Sequence, residues 1–237
     1  MTLTLSLESS YSIPPELALR LEAYRAHFLR HEFLDEVLKH PPIGRIAQEL
    51  DEYLKQQAIL GYHCTKEPSA GYFETNGLRL TDVSKQQKEF LEKFHCEFSS
   101  TEIEIIKNSW EEYYSPTQVA GRSGLVWMVL SRSSVGSAGT DAFFRYFGGE
   151  CVYKPLLRNA EITEKLEGIG RAVVVEVAIP GHLLKAHYGM SKCVLSIFHK
   201  TVRPDAHLYR SDASSRTGVP PSAVLKVTPR SEFDTLL

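Results

Sequence analysis

The stretch that most constrains this chain begins at Ile59. Ile59-Leu60-Gly61-Tyr62-His63-Cys64-Thr65 is an apolar strand signal that runs into a histidine flanked by an aromatic ring and a hydroxyl. After a short polar gap, Gly71-Tyr72-Phe73-Glu74-Thr75-Asn76-Gly77-Leu78-Arg79-Leu80 reads as a short helix that stops at Asn76-Gly77. The pattern puts an imidazole at the lip of a sheet, with a ring face and a hydroxyl within one turn of chain. Such a set suits a ribose with vicinal hydroxyls beside a flat ring. The competing reading is an ordinary half-buried histidine at a strand end.

The flanking sequence predicts an α+β protein. Ser12-Ile13-Pro14-Pro15-Glu16 is a helix entry, with Ser12 as cap and prolines in the first turn. Leu17, Leu21, Tyr24, Phe28, Phe33, Val37 and Leu38 recur at helical spacing, and His40-Pro41-Pro42 ends that helix. A second helix, about Ile43 to Gln57, carries Ile46, Leu50 and Leu54 on one face. Residues 1–58 therefore read as a helical region, a packing element or a docking surface for a protein partner. The segment from Lys85 to Phe98 reads as a helix capped by Thr81 or Asp82, and Ser99-Ser100-Thr101-Glu102 caps another that Pro116 closes. Beyond Gly121 strands dominate: Leu125 to Ser131, Glu150 to Tyr153, Arg171 to Pro180, Val194 to Phe198 and Ala223 to Thr228. A flexible loop, Arg132 to Thr140, leads to a short aromatic helix after Asp141. Ile162 to Leu166 and the start at His182-Leu183-Leu184 look helical, and Ser211 to Pro221 reads as a polar loop. The boundaries drawn are a helical region, 1–58, and an α+β domain, 59–237.

Composition narrows the function classes. With 237 residues, 43% hydrophobic and 24% charged, the chain has the makings of an ordinary folded protein, and a net charge of -2 gives no global basic field for nucleic acid. Four scattered cysteines form no C-x-x-C pair, and His182, His187, His199 and His207 have no paired metal spacing, so no metal site is expected. Met1-Thr2-Leu3-Thr4-Leu5 lacks the start of a signal peptide, and no run has the length of a membrane span. A reducing, cytoplasmic setting is the expectation.

No phosphate-binding glycine loop, G-x-S-x-G elbow or H-E-x-x-H motif is present in the sequence. Tyr62-His63-Cys64-Thr65, followed by a helix reaching Asn76-Gly77-Leu78, resembles the first motif of the ADP-ribosyltransferase superfamily, an opening shared by RNA 2'-phosphotransferases. Val126-Trp127-Met128 with Ser131, then Phe144-Arg145-Tyr146, is similar in order to the second motif. Two short motifs carry the likeness, over about three-quarters of the chain. It implies a mixed, split β-sheet core and an enzyme that uses NAD as substrate. The product would be an ADP-ribosylated macromolecule, protein or nucleic acid, or free ADP-ribose, in a toxin, effector or defence factor. By that resemblance Tyr62, His63, Thr65, Trp127, Ser131 and Tyr146 line the NAD site, with Trp127 in place of the family tyrosine.

Breaking the nicotinamide–ribose bond develops an oxocarbenium-like ring that a carboxylate must steady. The final strand, Ala223 to Thr228, contains no glutamate. Glu150, after Gly148-Gly149 and among aromatics, is the preferred catalytic partner of His63. Glu176, inside an apolar strand, is second, and Glu232 lies in the tail. Arg122, Arg132 and Arg145 are candidates for pairing with a pyrophosphate. Two other readings stay open: an RNA 2'-phosphotransferase-like enzyme, and a non-catalytic nucleotide-sensing or protein-docking module.

Overall fold

The computed structural model describes residues 4–234; the first three residues of the leader reading, and the last three of the 59–237 domain, lie outside the described residues. The chain opens with β1 (Thr4–Leu5) and the helices α1 (Pro15–Glu22), α2 (Arg25–Phe28), α3 (Leu34–Leu38) and α4 (Pro41–Lys55). Then come β2 (Ala58–Glu67), α5 (Tyr72–Asn76), α6 (Val83–Phe94), α7 (Ser100–Tyr113), α8 (Pro116–Arg122) and β3 (Val126–Val129). Next are α9 (Asp141–Arg145), α10 (Glu150–Tyr153), α11 (Ala160–Gly168), β4 (Arg171–Pro180), β5 (Leu184–Ala186) and α12 (Met190–Val202). The chain ends in β6 (Asp212–Ser215), β7 (Val224–Pro229) and α13 (Arg230–Asp234). The fold is mixed α/β around one seven-stranded sheet, in the order β5-β6-β3-β2-β4-β7, with β1 beside β2. β2 runs antiparallel to β3 and β5 to β6, whereas the short β1 lies parallel to β2.

The chain forms two compact units, each discontinuous in sequence. The first comprises Met1–Tyr62, Trp127–Ser134 and Val177–Ser215; the second comprises His63–Val126, Val135–Glu176 and Arg216–Leu237. The helical region joined at its end to Tyr62 thus shares a unit with two later segments.

In the first unit α4 buries Ile43, Ile46, Leu50 and Leu54, one face at helical spacing, and packs on α12. α12 is the centre of this unit. Met190, Cys193, Val194, Leu195, Phe198 and Val202 are all buried, so apolar residues surround the helix instead of forming one stripe. That is why Val194 to Phe198 reads as a strand in the sequence and folds as a helix: a short apolar run carries no period that separates the two. The helix expected from Leu17 to Leu38 is broken into α1, α2 and α3. Where it breaks, His199 of α12 lies within 3.0 Å of the carbonyl oxygens of Phe28 and His31, acceptors that a continuous helix would need for itself. Ser12 sits in a 3-10 turn and donates to the Ser6 carbonyl at 2.6 Å, so α1 begins at Pro15 without a side-chain cap. His182 belongs to a 3-10 turn that leads into β5. β6 occupies part of the expected polar loop, and its buried Ala213, Ser214 and Ser215 give no apolar alternation to read.

In the second unit α6, α7, α10 and α11 surround a core of Phe90, Ile106, Trp110, Val152, Ile162 and Leu166. Asp82 caps α6 by accepting from Lys85 N at 3.0 Å. A capping box starts α7: Ser99 N donates to Glu102 Oε2 at 2.7 Å, and Glu102 N donates to Ser99 Oγ at 3.3 Å. The expected strand at Glu150 is the helix α10, and its cause lies in the site.

Candidate functional site

The second unit holds His63, Thr65, Tyr146 and Glu150; the first holds Tyr62, Trp127 and Ser131. β2 changes its buried face midway. Ile59 and Gly61 are buried on one face, then Tyr62, Cys64 and Lys66 on the other. His63 and Thr65, two residues apart, therefore share one side of the strand, and both are half-buried there. The His63 ring meets Phe73 of α5 edge-on, with centroids 6.3 Å apart. α5 ends as expected at Gly77, whose φ is 65°; a Cβ there would lie 2.0 Å from the Val219 carbonyl oxygen. Leu78 and Val219 exchange backbone hydrogen bonds of 2.8 Å in both directions, which fixes this end of the helix.

His63 is not at the lip of the sheet, because β2 continues to Glu67. Two charged residues extend the strand into the interior. Lys66 Nζ donates to the carbonyls of Arg145, Leu166 and Glu167, at 3.5, 3.4 and 2.5 Å. Burial holds the Lys66 ammonium below its usual pKa, with Glu167 opposing. Glu67 is fully buried and pairs with Arg171. Between His63 and Thr65, burial pushes the Cys64 thiol up to about 12, so it is no nucleophile at neutral pH.

Glu150 opens α10, a single turn in which the Lys154 N–H donates to the Glu150 carbonyl and which is too short to satisfy the rest. Three side chains add donors to these carbonyls. The Tyr114 hydroxyl donates to the Glu150 carbonyl at 2.7 Å, Gln87 Nε2 to that of Cys151 at 3.1 Å, and Trp110 Nε1 to that of Val152 at 3.0 Å. Gly148 makes the approach, with φ 89° and no room for a Cβ, which would fall 2.6 Å from Val152. The turn is thus held from three sides. The Glu150 carboxylate receives Arg122 Nε at 3.2 Å and Lys154 Nζ at 2.8 Å. Arg122 also lies 5.9 and 5.8 Å from the rings of Tyr113 and Tyr114. Lys154 follows Glu150 by four residues, a helix-pair spacing legible in the sequence. Phe73 is the other missed neighbour; its place in the helix after the histidine was the available signal.

Tyr146 follows α9 and lies 5.3 Å from Tyr153, their planes inclined by 32°, with the Arg145 guanidinium 5.2 Å away. Burial first, and Glu150 second, raise the Tyr153 phenol pKa. In the first unit Tyr62 is buried and pairs in register with Val129. Trp127 is 47% exposed, while Val126 and Met128 beside it are buried. Ser131 Oγ is buried 2.5 Å from Ser134 Oγ. Arg132 and Ser133 donate their backbone N–H groups to the Glu8 carboxylate at 2.6 and 3.1 Å. Arg145 pairs with Glu167 at 2.8 Å. Glu176 is half-buried on β4, and Glu232 is exposed in α13.

Among the described residues no group of three or more His, Cys, Asp or Glu side chains is placed to hold a metal, and no helix is long and apolar enough to cross a membrane. In comparisons with known proteins, no family model, no curated protein and no solved structure matches the chain. The residues offer a half-buried imidazole and hydroxyl on one strand, and a carboxylate on a braced turn that pairs with two cations.

Proposed function

We propose that this protein is an NAD-using enzyme of ADP-ribosyltransferase type, transferring ADP-ribose to a protein or nucleic-acid acceptor, or to water, with release of nicotinamide. The observation that carries the reading is the pair His63 and Thr65. An imidazole and a hydroxyl on the same half-open side of β2 are followed by a short helix stopped by an obligatory glycine. In this reading His63 and Thr65 hold a ribose, Tyr146 offers a ring to nicotinamide, and Glu150 steadies the developing cation. The Glu150 carboxylate must then be shared with, or released by, Arg122 and Lys154.

Nicotinamide release from NAD by the purified chain tests this directly. Glu150→Gln should lower kcat by about 10²–10³-fold, the usual loss on removing an electrostatic stabiliser. His63→Ala should chiefly raise KM for NAD. Absence of both NAD binding and nicotinamide release in the unsubstituted protein overturns the proposal. The double ion pairing of Glu150 favours one second reading, a nucleotide-binding module without turnover. Calorimetric NAD binding with no nicotinamide released, and no change in Glu150→Gln, would select it. If turnover is found, labelled NAD in a cell extract identifies the acceptor.

A further inference from the structure

Four histidines of the first unit gather around the segment joining α2 to α3. His199 on α12 is fully buried, and its Nε2 lies 3.0 Å from the carbonyl oxygens of both Phe28 and His31. Two acceptors fix the tautomer: Nε2 carries the proton and Nδ1 keeps its lone pair. That Nδ1 is buried with no hydrogen-bond partner. The segment pinned by His199 also carries a cluster of imidazoles. The His27 ring lies 4.9 Å from His31 and 4.8 Å from His40, and the Tyr24 ring lies 5.2 Å from His40. His27 Nε2 and His40 Nδ1 are likewise buried without partners.

The charges around these rings give a proton no welcome. His27 faces His31, His40 and Arg30; His199 faces His31 and, on its own helix, Arg203. The carboxylates on the packed elements are engaged elsewhere. Asp35 of α3 binds Lys192 and Tyr209, Glu36 binds Lys39, and Glu49 of α4 binds Arg20. Asp51 and Glu52 bind Lys55, Glu22 binds Arg25, and Glu32 acts on Arg203. Among the described residues no carboxylate forms an ion pair with any of the four imidazoles.

We infer that His199 and the His27–His31–His40 cluster form an acid-opened latch, which holds the α2–α3 segment on α12 while the rings are neutral and releases it when they take up protons. A proton on His199 must enter at Nδ1, creating a buried charged N–H with no acceptor. A proton on His27 puts a cation beside the His31 and His40 rings and near Arg30. Opening exposes all four rings to water and removes both penalties. Burial, first among the causes, lowers the pKa of both His27 and His199 below the ordinary 6.5. The open form therefore binds more protons. The latch is fully closed above about pH 6.5 and weakens as pH falls below it.

Hydrogen exchange of the whole chain at about pH 7.5 and about pH 5, expressed as protection factors corrected for intrinsic rates, tests the latch. Amides of residues 25–40 should lose on the order of tenfold in protection at the lower pH, through protons that the open form binds and the closed form does not. Amides of α7 should not. His199→Gln retains a side-chain N–H donor but does not titrate, and should cut that loss to about threefold or less. Should that variant fail to fold, His27→Gln with His40→Gln at the half-buried cluster serves the same purpose and should also shrink the loss. Equal losses in the unsubstituted and substituted chains, or no local loss at about pH 5, overturn the inference.

Discussion

The two compact units bury polar groups in opposite ways. In the first, the described buried polar residues are serines and one histidine. They are held as neutral groups: Ser196 Oγ donates to the Cys193 carbonyl at 2.7 Å and accepts from Tyr209 N at 3.1 Å, and His199 Nε2 serves two carbonyls. The second unit buries ions, Lys66 among three carbonyls and Glu67 against Arg171. A unit that buries neutral groups is vulnerable to gaining a proton. A unit that buries charges is vulnerable to losing a partner. The difference separates their responses to mutation and to pH.

The largest effect should come from Phe28→Ala in the first unit. Phe28 is fully buried, 5.1 Å from Phe198 and 5.4 Å from His199, and emptying its site should cost about 3–5 kcal/mol in denaturant unfolding. It would also loosen the latch, so the acid response should begin nearer neutrality. In the second unit Arg171→Ala leaves the buried Glu67 side chain without its cation. Because the Arg171 side chain is 52% exposed and already partly screened, the expected loss is about 2–3 kcal/mol, below that of a wholly buried pair. If Arg171→Ala is neutral while Phe28→Ala is severe, the contrast between the units fails.

The pH windows sharpen the contrast. Glu102, in the capping box of α7, has its carboxyl lowered to about 2, chiefly by Lys165 at 2.7 Å and then by the Ser99 N–H. A depressed carboxylate stabilises above its unfolded value of 4.5 and loses that contribution as pH falls toward about 2. Protection of α7 should therefore persist to about pH 4.5, whereas the α2–α3 segment should begin to lose it below about 6.5. Coincident loss at both places would remove the distinction. Ser99→Ala should cost about 1 kcal/mol and shift the α7 transition without touching residues 25–40.

The smallest effect is chemical. Burial raises Cys64 to about 12 and Cys151 and Cys193 to about 11, while Cys96 is exposed. Brief alkylation of the native chain near pH 8 should add one group per molecule, on Cys96. Labelling of Cys193 before Cys151 under mild acid pretreatment would report opening of the first unit ahead of the second.

Much of the secondary structure was legible because its signals are local. Asp82, Ser99 and Glu102 cap helices that their neighbours define, and Ile43, Ile46, Leu50 and Leu54 mark one face of α4. Strand β2, the stop at Gly77 and the strand from Arg171 to Pro180 follow from alternation, apolar length and turn chemistry in the same way. Of the candidate site, the placement of His63 and Thr65 on one side of a strand followed from their spacing. The bracing of Glu150 did not. Its donors Tyr114, Gln87 and Trp110 come from helices 36 to 64 residues away in sequence, and no period in the chain announces them.

By itself, then, the sequence determined a mixed fold with helices first, the caps and faces of those helices, and an imidazole beside a hydroxyl on a strand before a glycine-stopped helix. Tertiary structure alone decided where polar groups are satisfied. His199 reaches Phe28 across 171 residues and breaks a helix that periodicity would have continued, three distant donors turn Glu150–Tyr153 from strand to helix, and α12 is a helix because neighbours cover it on several sides. The physical reason is common to all three. Local propensity differs between helix and strand by only about 1 kcal/mol per residue, and one buried hydrogen bond to a distant partner is enough to outweigh it.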